Sequence, residues 1–295
     1  MARKLTVDFY RVDVSGGSDF QRLLVEVSAL PPEERNRTGS SSPIRLQEYT
    51  RNGDVMEGDM LKIRMDEVPI KASLYGSTRF IDLNDDEGIG EETAFYYYAP
   101  WRILLLQRNR HAVSASAFTW YFNHIADGGP IIELIPILRS DVLQRLARMT
   151  IMRKLDVRIA GVENAEIFRG EGYGVGAIID LKDAFSAPNV SVSVSMGRRR
   201  GSLLLERVRE TITGLLRISG HDDRHLKKLA VEAQEDYTST TELLDILKSR
   251  IIEQIDIDPT VDRRLPYERR KEALREVFFR RRTELRQMFG ESGRQ

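Results

Sequence analysis

Residues 93–108 constrain this chain most. Thr93–Tyr98 is a β-rich aromatic run, Ala99-Pro100 interrupts it, and Arg102–Arg108 resumes as an apolar run. Proline fixes its own φ and lacks an amide hydrogen, so the two runs read as strands joined by a short turn. Strands joined so closely pair antiparallel, because a parallel pair needs a crossover of a dozen or more residues. A purely parallel sheet is argued against from this segment alone.

The neighbouring residues extend the pattern. Asn84-Asp85-Asp86-Glu87-Gly88 is a turn, and Ser114 caps a helix whose Phe118, Tyr121, Phe122 and Ile125 recur at helical spacing. Asp127-Gly128-Gly129-Pro130 stops that helix, and Ile131–Leu138 is a strand with Pro136 at an edge or bulge. Asp141 opens another helix, and Leu155–Ala160 alternates as a strand. Toward the N-terminus, Leu5, Val7 and Phe9 alternate, Gly16-Gly17-Ser18 breaks the strand, and Asp19 caps a helix through Leu23, Leu24 and Val27. Pro31–Pro43 is a polar loop and Met60–Met65 a half-buried strand.

In the second half, alternating Gly170, Gly172, Gly174 and Gly176 read as a linker leading into an amphipathic stretch that ends at Phe185. Val190, Val192 and Val194 alternate with serines, Leu204–Leu216 is a long amphipathic helix, and Leu226–Ala233 is a strand. Ser239-x-x-Glu242 is a capping-box signature before Leu243, Leu244 and Leu247; Arg250–Asp258 is extended, and Pro266–Phe289 is a terminal helix. The expected fold is α+β: a mixed or antiparallel sheet with flanking helices and a long C-terminal helix. Two subdomains are expected, 1–165 and 166–295.

The chain has no cysteine, which excludes disulfides, thiolate metal sites and a cysteine nucleophile. It has no apolar run near the roughly 20 residues that span a bilayer, and its start lacks the apolar core of a signal peptide. A cytoplasmic protein without membrane insertion is expected. Thirty-six of the 45 basic residues are arginine, although the net charge is zero. Residues 54–92 hold eleven acids against four bases, and residues 261–295 hold eleven bases against six acids. Guanidinium forks onto phosphate oxygens better than ammonium does, so an Arg-rich surface suits nucleic acid; a GC-rich genome also writes Arg for Lys.

The order of elements over Asp85–Ala160 carries a resemblance. An acidic turn precedes the aromatic strand Phe95-Tyr96-Tyr97-Tyr98. The next strand ends in Gln107-Arg108-Asn109-Arg110, followed by the loop Val113-Ser114-Ala115-Ser116 and a helix. A strand holding Ile135–Arg139 and a returning strand Leu155–Ala160 complete the pattern. This order resembles the RexA-like phage-exclusion proteins and the KwaB-type antiviral proteins over about residues 80–235. The resemblance implies a cytoplasmic homodimer that binds double-stranded DNA with little sequence preference in phage exclusion or antiviral defence. A second defence-system protein is a further implied partner. No invariant signature carries over residue by residue.

Local charge supplies the candidate DNA contacts. Arg102, Arg108 and Arg110 lie in an acid-free window and share parity if the strand stays regular; the alternative is a charged edge guard. Arg198-Arg199-Arg200 is flanked by Gly197 and Gly201, a turn that crowds three like charges and suits an anionic partner. Arg280, Arg281 and Arg282 exceed the acids around them on the terminal helix, whose other charges suit i,i+4 pairing.

Catalytic signals are weak. Asp180-Leu181-Lys182 after Ala177-Ile178-Ile179 has the form of a PD-(D/E)xK nuclease core, with Asp156, Glu163 or Glu171 as the first acid. That motif needs a strand, whereas this stretch reads as helix. His221 and His225, four apart, suit zinc only on a helix. His111 and His124 lack sequence neighbours that would recruit them. The reading is a non-catalytic DNA-binding protein with no cofactor or metal. Its alternatives are a Mg²⁺-dependent nuclease on Asp180 and Lys182, or a protein-interaction subunit of a defence or toxin assembly whose acidic residues 54–92 dock a basic partner or imitate DNA.

Overall fold

The computed structural model describes residues 3–15, 19–39, 42–66, 68–125, 131–161, 172–221, 225–261 and 264–290. In chain order the elements are β1 (Arg3–Val14), α1 (Phe20–Ala29), β2 (Arg37–Thr38), β3 (Pro43–Asn52), β4 (Val55–Arg64), β5 (Lys71–Ala72), β6 (Thr78–Arg79), β7 (Ile89–Tyr98) and β8 (Ile103–Arg108). There follow α2 (Ala115–Ile125), β9 (Ile132–Pro136), α3 (Ser140–Arg148), β10 (Ile151–Ala160), α4 (Tyr173–Ala184) and β11 (Asn189–Ser195). The chain closes with α5 (Leu205–His221), β12 (Leu226–Gln234), β13 (Glu242–Asp245), β14 (Ile252–Ile257) and α6 (Tyr267–Phe289). The class is α+β, with antiparallel pairing of β2 with β3, β3 with β4, β4 with β7, β7 with β8, β5 with β6, β10 with β11 and β12, and β12 with β13, and with a long C-terminal helix.

The chain divides into two compact units, each assembled from discontinuous segments. The first takes Met1–Asp8, Val14–Ile132 and Glu253–Arg282; the second takes Phe9–Asp13, Glu133–Ile252 and Thr283–Gln295. This differs from a single cut near residue 165. Local composition marks flexible stretches, but it carries no information about which distant strands pair.

The larger sheet runs β14-β1-β8-β7-β4-β3-β2. The β7–β8 hairpin forms as expected, Phe95 opposite Leu106 and Tyr98 opposite Ile103. Four successive aromatic side chains fit one strand because both faces of β7 are covered. Phe95 meets Phe118 of α2 at 5.4 Å, and Tyr97 meets Phe20 of α1 at 5.0 Å. Tyr96 and Tyr98, on the opposite side of the pleat, meet Phe278 of α6 at 4.8 and 5.2 Å. The helix starts obey local chemistry: the Asp19 carboxylate accepts from Gln21 N at 3.0 Å, and the Ser114 hydroxyl from Ala117 N at 3.2 Å. The hairpin of β3 and β4, closed through Gly53 at φ +61°, lies partly in what read as unassigned sequence.

In the second unit the sheet order is β11-β10-β12-β13. Leu155, Val157, Ile159, Val190, Leu229 and Val231 form one buried face, which packs with Val175, Ile178 and Ile179 of α4 and Val208, Ile212 and Leu215 of α5. Pro136 ends β9, a strand that pairs β1 off the main path of its sheet. The capping-box expectation is corrected here: Glu242 does not open a helix but begins β13, with Ala233 opposite Glu242 and Ala230 opposite Asp245. Asp236 instead caps the turn, its Oδ1 accepting from Thr238 N at 2.7 Å and Ser239 N at 2.8 Å. A free strand edge on β12 outweighs the local capping preference. The glycine-serine break at 16–18 and the stop at 127–130 lie outside the described residues.

Candidate nucleic-acid interface

The Arg198-Arg199-Arg200 turn follows directly from the end of β11. Gly197 and Gly201 hold φ of +57° and +140°, conformations that suit glycine, so the pair closes the turn that the sequence suggested. All three arginines are exposed, and no ion pair joins any of them to a described carboxylate. The turn is held from beneath by Arg153 of β10. Its guanidinium donates to Arg199 O and Gly201 O at 2.8 Å and to Gly197 O at 2.9 Å. One fixed cation thus satisfies three backbone carbonyls and leaves three more cations to solvent.

β11 also supplies the hydroxyls beside the turn. Its valines face the helices, so the period of two puts Ser191, Ser193 and Ser195 on the other face, where they are exposed. Register sets Ser195 opposite Lys154, Ser193 opposite Asp156 and Ser191 opposite Arg158. Lys228 lies on the far side of Arg158 and donates to Asp156 Oδ2 at 3.0 Å, as does Lys154 at the same distance. Against the desolvation that acts to raise it, bonds from Ser193, Lys154 and Lys228 hold the Asp156 carboxyl down at about 2. The face therefore carries Lys154, Arg158 and Lys228 against Asp156 and Glu232, with short polar side chains between them.

The other candidate arginines are placed differently. Arg108 is paired, its Nε donating to Asp8 Oδ2 at 2.8 Å. Arg102 is not in the strand: a 3-10 turn over Ala99–Trp101 leaves it left-handed at φ 52°, so the shared parity of Arg102, Arg108 and Arg110 is corrected. Pro100 sits at the start of that 3-10 turn, where its fixed φ is compatible, and Arg110 falls in a bend after β8, where it is exposed. On α6, Arg280 pairs with Glu276 one turn back, Arg281 donates to Glu253 Oε1 at 2.6 Å, and Arg282 lies 5.9 Å from the Phe279 ring.

The acidic segment and the Arg-rich helix meet within the first unit, a pairing that sequence inspection missed. Arg270 donates to both oxygens of Asp59 at 2.8 and 2.6 Å, to Glu92 Oε2 at 2.7 Å and to Leu265 O at 2.9 Å. Its side chain is 2% exposed and that of Asp59 1%. Desolvation outweighs the bonds from Arg270 and lifts the Asp59 carboxyl to about 6. Five residues along the helix, Arg275 Nε donates to buried Glu57 at 2.6 Å. Asp59 and Glu57, two apart on β4, share a face of their strand, but nothing local to them points to Arg270 and Arg275, more than 200 residues away.

Asp180 and Lys182 sit on helix α4, Lys182 lying 3.5 Å from Asp183, so the strand that a PD-(D/E)xK core requires is missing there. Glu163 and Glu171 lie outside the described residues, as do Asp222, Asp223, Arg224 and the side chain of His221. His225 Nδ1 contacts Ala160 O at 3.2 Å, and His124 stacks on Trp120 at 4.7 Å. His111 is exposed. Among the described residues no group of three or more His, Asp and Glu side chains is arranged to hold a metal ion. No described helix is long and apolar enough to cross a membrane.

A family described as one of unknown function, DUF6731, matches residues 11–286. No curated protein matches the chain.

Proposed function

This chain belongs to the DUF6731 family, and we propose that its second compact unit binds the phosphate backbone of double-stranded DNA without reading bases. The observation that carries the proposal is the arginine turn at 198–200, with three exposed guanidinium groups that no described carboxylate pairs, on a backbone clamped by Arg153. Exposed serines on β11 add uncharged donors of the kind that position a duplex by its phosphates. A role in phage exclusion or defence, as a homodimer or beside a second defence protein, rests on the resemblance in element order alone.

Three phosphate contacts give a log–log salt dependence with a slope of about −3. Fluorescence anisotropy on short duplexes of unrelated sequence checks this. Arg199→Glu is expected to weaken all duplexes alike and to flatten the slope by about one or more. Duplex binding that is absent at low ionic strength, or that ignores salt, overturns the reading.

A further inference from the structure

The second unit carries an apolar groove of about 530 Å³, a volume within the range of small-molecule sites, whose lining includes Val194, Leu203 and Leu204 on either side of the arginine turn in the chain. β10 and β11 supply one wall through Val157 and Val192, and α4 and α5 the other through Ile178 and Val208. Its described lining is aliphatic, without an aromatic ring, and holds one charged side chain, Arg207, and one hydroxyl, Thr211. The Thr211 hydroxyl already donates to Arg207 O at 2.7 Å. At the rim Leu181, Val194 and Leu204 remain 43, 48 and 74% exposed, so apolar surface stands ready to be covered.

We infer that this groove binds a long unbranched aliphatic carboxylate, its chain along the groove and its head on Arg207. The Leu, Val and Ile walls of the described lining suit a flexible aliphatic chain. Arg207 is the charged side chain of the described lining, and its guanidinium fork fits the two oxygens of a carboxylate head. Arg207 contacts Glu210 at 3.1 Å with both side chains half exposed, a solvent-screened pair of the kind that contributes little stability. Gly174 lets α4 approach α5 closely, since a Cβ there would lie 2.0 Å from Thr211 Oγ1, and this contact sets the groove's width. The inference is independent of DNA binding.

Titration calorimetry of the full chain with dodecanoate and with dodecanol, both below micelle formation, tests it. Saturable binding of dodecanoate is expected, weakened about tenfold or more by Arg207→Gln while dodecanol binding stays unchanged. Ala177→Phe fills the groove and abolishes both; Leu204→Gln, at an exposed position that folding tolerates, weakens both. Arg199→Glu leaves dodecanoate binding intact, which separates this site from the phosphate site. No saturable dodecanoate binding overturns the inference, as does an equal loss of both ligands in Arg207→Gln. So does a wild-type dimer that Leu204→Gln converts to monomer with no dodecanoate bound, since a second copy then covers the groove.

Discussion

Arg270 and Asp59, 211 residues apart, face each other through two hydrogen bonds of 2.8 and 2.6 Å with almost no solvent on either side chain. The pair fixes α6 against β4 inside the first unit. It also gives the acidic residues 54–92 an intramolecular partner, so docking of a basic protein by that segment has fewer free carboxylates to use.

Breaking this pair from one side leaves a buried charge alone. Arg270→Met is therefore expected to destabilise the first unit by about 3–5 kcal/mol, and Arg270→Met with Asp59→Leu by less than the sum of the single changes. Urea unfolding of the single and double variants measures both quantities.

Asp156 imposes an acid limit on the second unit. Its folded pKa of about 2 lies below the ordinary 3.8, so the native state binds that proton less readily than the unfolded chain. The contribution, roughly 2 kcal/mol, is complete above about pH 4 and is lost as pH falls toward 2. Lys228→Met should shrink this loss, and denaturant midpoints between pH 5 and 2 provide the comparison.

Gly174→Ala runs against helix propensity. Alanine normally stabilises a helix interior by up to about 1 kcal/mol, yet here the new methyl meets Thr211 Oγ1 at 2.0 Å. A loss of about 1–3 kcal/mol is expected from overpacking. Thr211→Ala in the same chain should recover part of it, as thermal melts would show.

Arg153→Lys tests the clamp beneath the arginine turn. An ammonium cannot fork onto the carbonyls of Gly197, Arg199 and Gly201 as the guanidinium does. Duplex affinity is expected to fall several-fold although the charge is unchanged, and anisotropy at fixed salt reads it. Unchanged affinity would mean that the turn needs no clamp.

Much of the fold was legible locally. Asp19 and Ser114 announced their helices because a cap is a contact between near neighbours. The β7–β8 hairpin was legible because proline and the aromatic run lie within a few residues of each other. Arg198–Arg200 could be singled out because their glycines are adjacent. Arg153, which clamps that turn from 44 to 48 residues away, could not. Nor could the left-handed Arg102, whose φ follows from how the 3-10 turn closes rather than from its own identity. The Ser239-x-x-Glu242 signature misled because a strand edge on β12 offered four residues of pairing that the local pattern does not encode.

By itself, the sequence determined what is written in neighbours: helix starts, the antiparallel hairpin, the α+β class, the missing cysteine chemistry and an arginine turn between glycines. Tertiary structure alone decided which charges remain available. Arg108, Arg270, Arg275 and Arg281 found carboxylates 28 to 218 residues away, while Arg198–Arg200 found none among the described residues. The physical reason is range: a charge's value depends on what lies within a few ångströms of it, and for pairs far apart in the chain the fold sets that distance.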